Sequence, residues 1–501
     1  MRGGAIALCA FALLASGALA TAARAQDLPT PDELAARSRL ASGADRRPEN
    51  ERETWAIHLG GLDGTLRTVR RGSDVASVTV LGPFRTARGL DRGRRWHQNE
   101  NGETILDRPE PSQTERTIAQ SVIRVGRPLD AWEVVSTYAS GHVLRTFYDA
   151  RTYLVVRTER TIAGRTSHVE YDDFRTDARG CTRPWHYAGG DDRPGNDYDF
   201  RLLRVEETPE PSDAELAIPH DRRTLVEFPD GVDSVRLPAR IVGDRIYVRL
   251  KVGGRGLDFL LDSGAGAMTI DEGVARELGL AAYGRSEQTV AGTFESRRVI
   301  APEIGIGPLA MRDVVLRTAP FSSREGRGTR VVGLLGFDFF DALALRIDYG
   351  AGTVDAYRSG TLDAPAGVTP LDIRLNSGAP VARATVAEAE GDDFILDTGA
   401  AFSYVLFQRF ARAHPDAVET LGDGRVREGS GVGGPMPYRA VATKRLALGD
   451  TTFENAAGVE ALSPNALGFD NEDGLIGADI LAAFTLYVDY AAGRVYLAPR
   501  R

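Results

Sequence analysis

The sequence predicts an all-β chain in which two tandem copies of one β-rich lobe follow a separate antiparallel β domain. Three features predict it. A set of short motifs occurs twice, in the same order, in the C-terminal half. Residues 52 to 205 alternate in short apolar runs broken by Gly and Asp, the pattern of half-buried strands and tight turns. The length of 501 residues exceeds what one hydrophobic core sustains, so two or three domains are expected.

The chain opens on Arg2, an apolar stretch from Ala5 to Ala20, and Ala23, Arg24 and Ala25 ahead of Gln26. A short apolar run ending in small residues is the signal-peptide pattern, so residues 1–25 are expected to direct export to the periplasm or beyond and to be removed. The run falls short of the ~20 residues a spanning helix needs, and no later segment approaches that length. Cys9 would leave with the signal, and Cys181 would remain as the single cysteine, so no intramolecular disulfide is expected. The formal charge is −9, with Lys251 and Lys444 the only lysines. That balance offers no basic field for nucleic acid or an anionic membrane.

Residues 26–51 are polar and Ala-rich, with a short helix expected from Asp32 to Leu40. Residues 52–205 form the antiparallel β domain, with strands expected at Val78–Leu81, Trp132–Tyr138 and Tyr153–Arg157. The stretch 206–223 carries Pro209, Pro211 and Pro219 among charged residues, lacks strand periodicity, and reads as a linker. The two lobes then occupy 224–360 and 361–501.

The repeat is visible residue by residue. Asp258, Phe259, Leu260, Leu261, Asp262, Ser263, Gly264 and Ala265 match Asp393, Phe394, Ile395, Leu396, Asp397, Thr398, Gly399 and Ala400, at an offset of 397 − 262 = 135. Gly333, Leu334, Leu335 and Gly336 match Gly474, Leu475, Ile476 and Gly477, at 477 − 336 = 141. Ile347, Asp348 and Tyr349 then match Val488, Asp489 and Tyr490 at the same 141. Three matched blocks in one order indicate a duplicated lobe.

Three apolar residues ending in Asp describe a buried strand that delivers a carboxylate to its end. Ser or Thr and then Gly make a tight turn, where Gly264 and Gly399 permit close approach of another backbone. The hydroxyls of Ser263 and Thr398 can reach across to the opposite loop. Two such loops facing each other place two carboxylates on one water. Like charges that close share a proton, so one acid acts as base and the other as acid.

These blocks resemble the retropepsin-like and pepsin-like aspartic proteases, over residues ~225 to 501. The resemblance implies Asp262 and Asp397 as the catalytic aspartates, with Leu334, Leu335, Gly336 and Leu475, Ile476, Gly477 bracing the loops from behind. It also implies a β-hairpin flap over the cleft. The candidates are Thr289 to Phe294, including Gly292, and Gly429 to Tyr438, including Gly431, Gly433 and Gly434. The glycines 429, 431 and 434 also fit a dinucleotide-loop spacing, but Pro435 and Pro437 stand where a helix would have to begin. Asp338 and Asp479 recur just past each bracing glycine and are read as helix-capping or loop-bonding groups.

Between Leu225 and Arg501 the only histidine is His414 and there is no cysteine, which leaves no material for a Ser or Cys triad or a His-based zinc site. No metal or cofactor is expected. One chain supplies both loops, so a monomer suffices, with a peptide or protein as substrate. In the N-terminal block, Phe147, Tyr148, Asp149, Tyr153, Leu154 and Val156, then Tyr171, Asp172, Phe174, Gly180 and Pro184, resemble the strand succession of periplasmic lipoprotein-carrier half-barrels. Two other functions stay open: a peptide binder with the protease fold, and a lipid or lipoprotein binder acting through residues 52–205.

Overall fold

The computed structural model describes residues 28–106, 116–139, 141–162, 164–222, 224–321, 324–325, 329–376, 378–463, 467 and 472–500. The signal pattern at 1–25, Cys9 included, lies outside them. The chain is mostly β. Among the described residues no helix is long and apolar enough to cross a membrane.

The expected N-terminal helix spans Pro31–Ser42. Thr30 and Glu33 form a reciprocal capping box at its start, and Gly43 closes it at φ 59°, in the left-handed region that favours Gly. A thirteen-stranded antiparallel sheet follows, from Asn50–Leu59 to Tyr198–Glu207. It consists of two meanders, and its first and last strands pair with each other in the middle of the sheet. The strand expected from Tyr153 begins instead at Val155. Tyr153 sits in a turn at φ 60°, organised by Asp149, whose carboxylate accepts from the backbone N–H of Arg151 and Thr152.

The segment expected as a linker is strapped to this sheet. Prolines keep it out of strand pairing, but Leu216 in the short helix Asp213–Leu216 is fully buried with Ala76, Ala87 and Trp96. Gln98 donates to the His220 carbonyl at 3.1 Å, and Arg222 donates to the carbonyls of Arg85, Asn99 and Glu100 at 2.8, 3.0 and 3.1 Å. Apolar and arginine side chains therefore anchor a stretch whose backbone pattern promised only slack.

The C-terminal half carries a ten-stranded sheet drawn from Val226–Leu335, a nine-stranded sheet drawn from Arg374–Ile476, and a six-stranded sheet to which both parts contribute. In the shared sheet the strands Leu343–Asp348 and Phe484–Asp489 pair antiparallel. Arg346 stands opposite Tyr487, and 487 − 346 = 141, the spacing of the repeat. A residue facing its own equivalent marks a local two-fold axis. One continuous apolar core runs beneath, from Leu225 to Leu497.

Candidate active site

Each repeated Asp stands at the end of a buried strand, and each strand is paired in parallel with the bracing element expected behind it. Leu260 and Leu261 lie beside Leu334 and Leu335, while Ile395 and Leu396 lie beside Leu475 and Ile476. The Asp262 N–H donates to the Leu335 carbonyl at 3.1 Å, and the Asp397 N–H donates to the Ile476 carbonyl at 2.9 Å. Phe337 and Ala478 then donate to Ala265 and Ala400, each at 2.9 Å. Gly336 and Gly477 permit this threading, because a Cβ at either would collide with carbonyl oxygens of the loop it supports.

The loops are locked to each other through their hydroxyls. Thr398 Oγ1 accepts from the Ser263 N–H at 3.1 Å and donates to the Leu261 carbonyl at 2.9 Å. Ser263 Oγ accepts from the Thr398 N–H at 3.0 Å and donates to the Leu396 carbonyl at 2.6 Å. All of these atoms are buried, so each hydroxyl satisfies one donor and one acceptor of the opposite loop. Thr398→Val keeps the shape and orphans both partners, and is expected to lower stability by about 2–4 kcal/mol. Thr398→Ser should restore most of it. Denaturant melts of the three proteins test this, and a Val variant as stable as wild type would disprove the lock.

The lock brings the two acids together. A Cβ built on Gly264 would stand 2.7 Å from Asp397 Oδ2, and one on Gly399 would stand 2.6 Å from Asp262 Oδ2, so each carboxyl lies over the opposite glycine. Asp397 Oδ1 accepts from the N–H groups of Gly399 at 2.8 Å and Ala400 at 3.1 Å, and Asp262 Oδ1 accepts from Gly264 at 3.0 Å. Burial pushes Asp262 well above the usual carboxylate range, reinforced by the charge of Asp397 and a hydrogen bond to it. Asp397 is also raised by burial, against the opposing pull of backbone N–H groups, Asp262 and Arg245. The pair therefore retains a proton that two isolated acids would release.

Both flap candidates are hairpins: Ala282–Thr289 with Thr293–Ile306, and Val426–Gly431 with Gly434–Leu448. Their tips meet. Ala291 N–H donates to the Val432 carbonyl at 3.0 Å, and a Cβ on Gly433, whose φ is 88°, would lie 2.6 Å from the Gly292 carbonyl oxygen. Gly431 lies under Ala291 in the same contact, where its Cβ would be 2.7 Å from that of Ala291. Ala291 packs against the apolar cluster that Ala400 and Phe402 also join, and Val432 packs against the one that Ala265 joins. Each tip thus reaches the apolar wall of the opposite half.

Three repeated groups find partners around these loops. Asp338 accepts from the Met268 N–H at 2.9 Å, bracing the Asp262 loop, and its other oxygen accepts from Asn99 at 3.2 Å and Asn101 at 2.8 Å in the N-terminal sheet. Asp479 accepts from Ser403 at 3.4 Å. Both aspartates are loop-bonding groups, and in the first copy the distant sheet completes the bonding. Tyr490, fully buried against Phe337 and Phe340, approaches the Ser263 carbonyl at 3.5 Å. Its recurrence with Tyr349 at the 141 offset was the available signal for it.

A family model described as aspartyl protease matches residues 248–339. No curated protein matches the chain. Basic 7S globulin from soybean is 11% identical over 53% of this chain and 94% of its own, with a TM-score of 0.32. A retropepsin-like aspartic protease from Rickettsia conorii is 19% identical over 26% of this chain and 93% of its own, TM-score 0.20. A putative outer membrane lipoprotein-sorting protein domain from Vibrio parahaemolyticus is 8% identical over 37% of this chain and 94% of its own, TM-score 0.28.

Proposed function

We propose that the protein is an exported aspartic endopeptidase whose two halves act as paired lobes, each supplying one aspartate to a single site. One observation carries the reading: two adjacent carboxyls, that of Asp397 buried, each lie over the glycine of the opposite loop and are held there by the Ser263–Thr398 lock. A binding protein gains little from two adjacent acids that are costly to desolvate, whereas a water between them acquires a base on one side and an acid on the other. The carboxylate of the pair takes a proton from the water as it attacks the peptide carbonyl. The protonated partner donates to the carbonyl oxygen, giving a neutral tetrahedral diol, and proton return to the amide nitrogen releases the two products. The aspartyl-protease match over 248–339 supports this chemistry for the Asp262 half. Export rests on the signal pattern of residues 1–25.

The test is digestion of a mixed peptide library by purified protein across acidic to neutral pH, read by mass spectrometry. Cleavage that persists with metal chelators and thiol and serine reagents, and is blocked by a hydroxyl-bearing peptide analogue of the diol, is expected. An intact library under all conditions would leave the binding reading in its place.

A second reading draws on a separate feature. An open cavity of about 2100 Å³ lies between the N-terminal sheet, through Ile57, Leu66 and Phe200, and the C-terminal half, through Phe337, Ile373 and Leu375. These apolar residues could take a lipid-like chain, while charged residues of the same lining, among them Arg298, Arg317 and Glu100, would meet a polar head. Organic extraction of the purified full chain should then release a stoichiometric lipid, and an empty extract would remove this reading.

A further inference from the structure

The two flaps touch at their tips but are held very differently at their bases. The outer strand of the second flap, Val426–Gly431, is mostly exposed and is paired with the inner strand of its own hairpin. Among the described residues it has no hydrogen bond to the N-terminal sheet. The outer strand of the first flap, Ala282–Thr289, is fastened to that sheet along its length.

The fastening begins at a bulge. The pairing of Ala282–Thr289 with its neighbour slips between Tyr283 and Ser286, which frees the Arg285 N–H to donate to the Gly60 carbonyl at 2.8 Å. Phe84 packs edge-on against Tyr283 with ring centroids 5.6 Å apart. Two residues past the bulge, Asn196 takes the place of a neighbouring strand. Its Oδ1 accepts from the Glu287 N–H at 3.0 Å and its Nδ2 donates to the Glu287 carbonyl at 3.3 Å, satisfying both backbone groups of one residue. Arg193 then donates to Thr289 Oγ1 at 3.3 Å, two residues from the tip at Ala291. Asp191 organises both side chains, accepting from Arg193 Nε at 2.8 Å and from Asn196 Nδ2 at 3.3 Å. Gly195 makes the close approach possible, since a Cβ there would lie 2.8 Å from the Arg285 carbonyl oxygen.

We propose that the loop Asp191–Asn196 is a clamp that holds the first flap down over the paired aspartates, so that Arg193 and Asn196 are positioning residues governing access to the cleft. The second flap is then the one that swings, and anything that displaces the N-terminal sheet releases the first. The inference deepens the peptidase reading and depends on it only for the consequence in turnover.

The test compares wild type with the double variant Arg193→Ala, Asn196→Ala by two measurements that need no catalysis. Amide exchange should accelerate about tenfold or more over Glu287–Gly292 while the amides of Arg427–Ser430 keep their rates, as for a local opening released from a few hydrogen bonds. A cysteine placed on the Asp397 loop by Ala400→Cys should, in the double variant, react with a soluble thiol reagent correspondingly faster. Cys181 is buried and serves as the silent control. Unchanged exchange in the first flap overturns the clamp, and so does faster exchange with unchanged labelling. Melting temperature reports folding, and if the double variant does not fold, Asn196→Ala alone is read in the same way. If both accelerations appear while the unsubstituted chain cuts no peptide, the clamp stands and the peptidase reading falls.

Discussion

Asp262→Asn and Asp397→Asn are each expected to lower peptide hydrolysis by about a thousandfold or more, and the double variant by little beyond either single one, because a pair that shares one proton acts as a unit. The geometry leaves no substitute. Each carboxyl lies over the opposite glycine, and no histidine or cysteine stands between Leu225 and Arg501 save His414, whose ring is packed against Phe410. Folding should survive in both variants, since Asn can keep accepting from Gly264, or from Gly399 and Ala400, through its carbonyl oxygen. Their stability should even exceed that of wild type at neutral pH. Burial raises both acids, so ionising them in the folded state is unfavourable, and Asn removes that cost. Activity in wild type should fall on the alkaline side as the shared proton leaves. Turnover of one cleavable peptide and the melting temperature, measured for all four proteins, decide the matter. Folded variants that cut as fast as wild type would sink the assignment.

The parts of the site that were legible in the sequence are those the repeat carries. Asp262 and Asp397, the hydroxyls of Ser263 and Thr398, and the glycines 336 and 477 each recur at a fixed place after an apolar run, so one copy interprets the other. The hairpins at Gly292 and Gly431–Gly434 were expected from the family resemblance rather than from a local pattern. That their tips meet was not, since a contact between backbones separated by more than a hundred residues leaves no local pattern. The same holds for Asn99 and Asn101, which bond Asp338 across the boundary between the N-terminal sheet and the C-terminal half. Backbone periodicity gave no strand after Glu207, and the order of the strap over 208–222 comes from Leu216 and Arg222 rather than from strand pairing. Tyr153 looked like the start of a strand by composition, and the Asp149 turn overrode it.

Raising the pH from about 5 to about 7.5 is expected to destabilise the wild-type fold, and Asp341→Asn should flatten that loss. The cause is a group of acids where the N-terminal sheet, the strap and the C-terminal half meet. Burial pushes Asp341 up to about 7, helped by the charges of Asp221, Asp338 and Asp489. Burial also raises Glu103 well above its usual range, with Asp338 and Asp341 adding to it, and one of its buried oxygens has no hydrogen-bond partner. Asp338 is raised by burial as well, although the Met268 N–H and Asn101 pull the other way, as does the more distant Arg317. In the unfolded chain these groups lose their protons in the ordinary carboxylate range, while the folded chain still holds them. The folded state therefore binds more protons across that window, and stability declines as pH climbs toward the folded values. On the acid side the sign reverses. Burial would raise Glu51, but hydrogen bonds from Arg183 and Arg47 outweigh it and hold the carboxyl at about 2, so the stability it contributes is lost as pH falls below the ordinary range. Mild acid is thus where the fold should be most stable. Because Asp262 contributes with the same sign as Asp341, the comparison is cleanest in the Asp262→Asn background. There Asp341→Asn should raise the melting temperature by about 2 °C or more at neutral pH and change it little in acid. A melting temperature that is flat with pH in the parent, or equally steep in both proteins, would show that these acids do not titrate with folding.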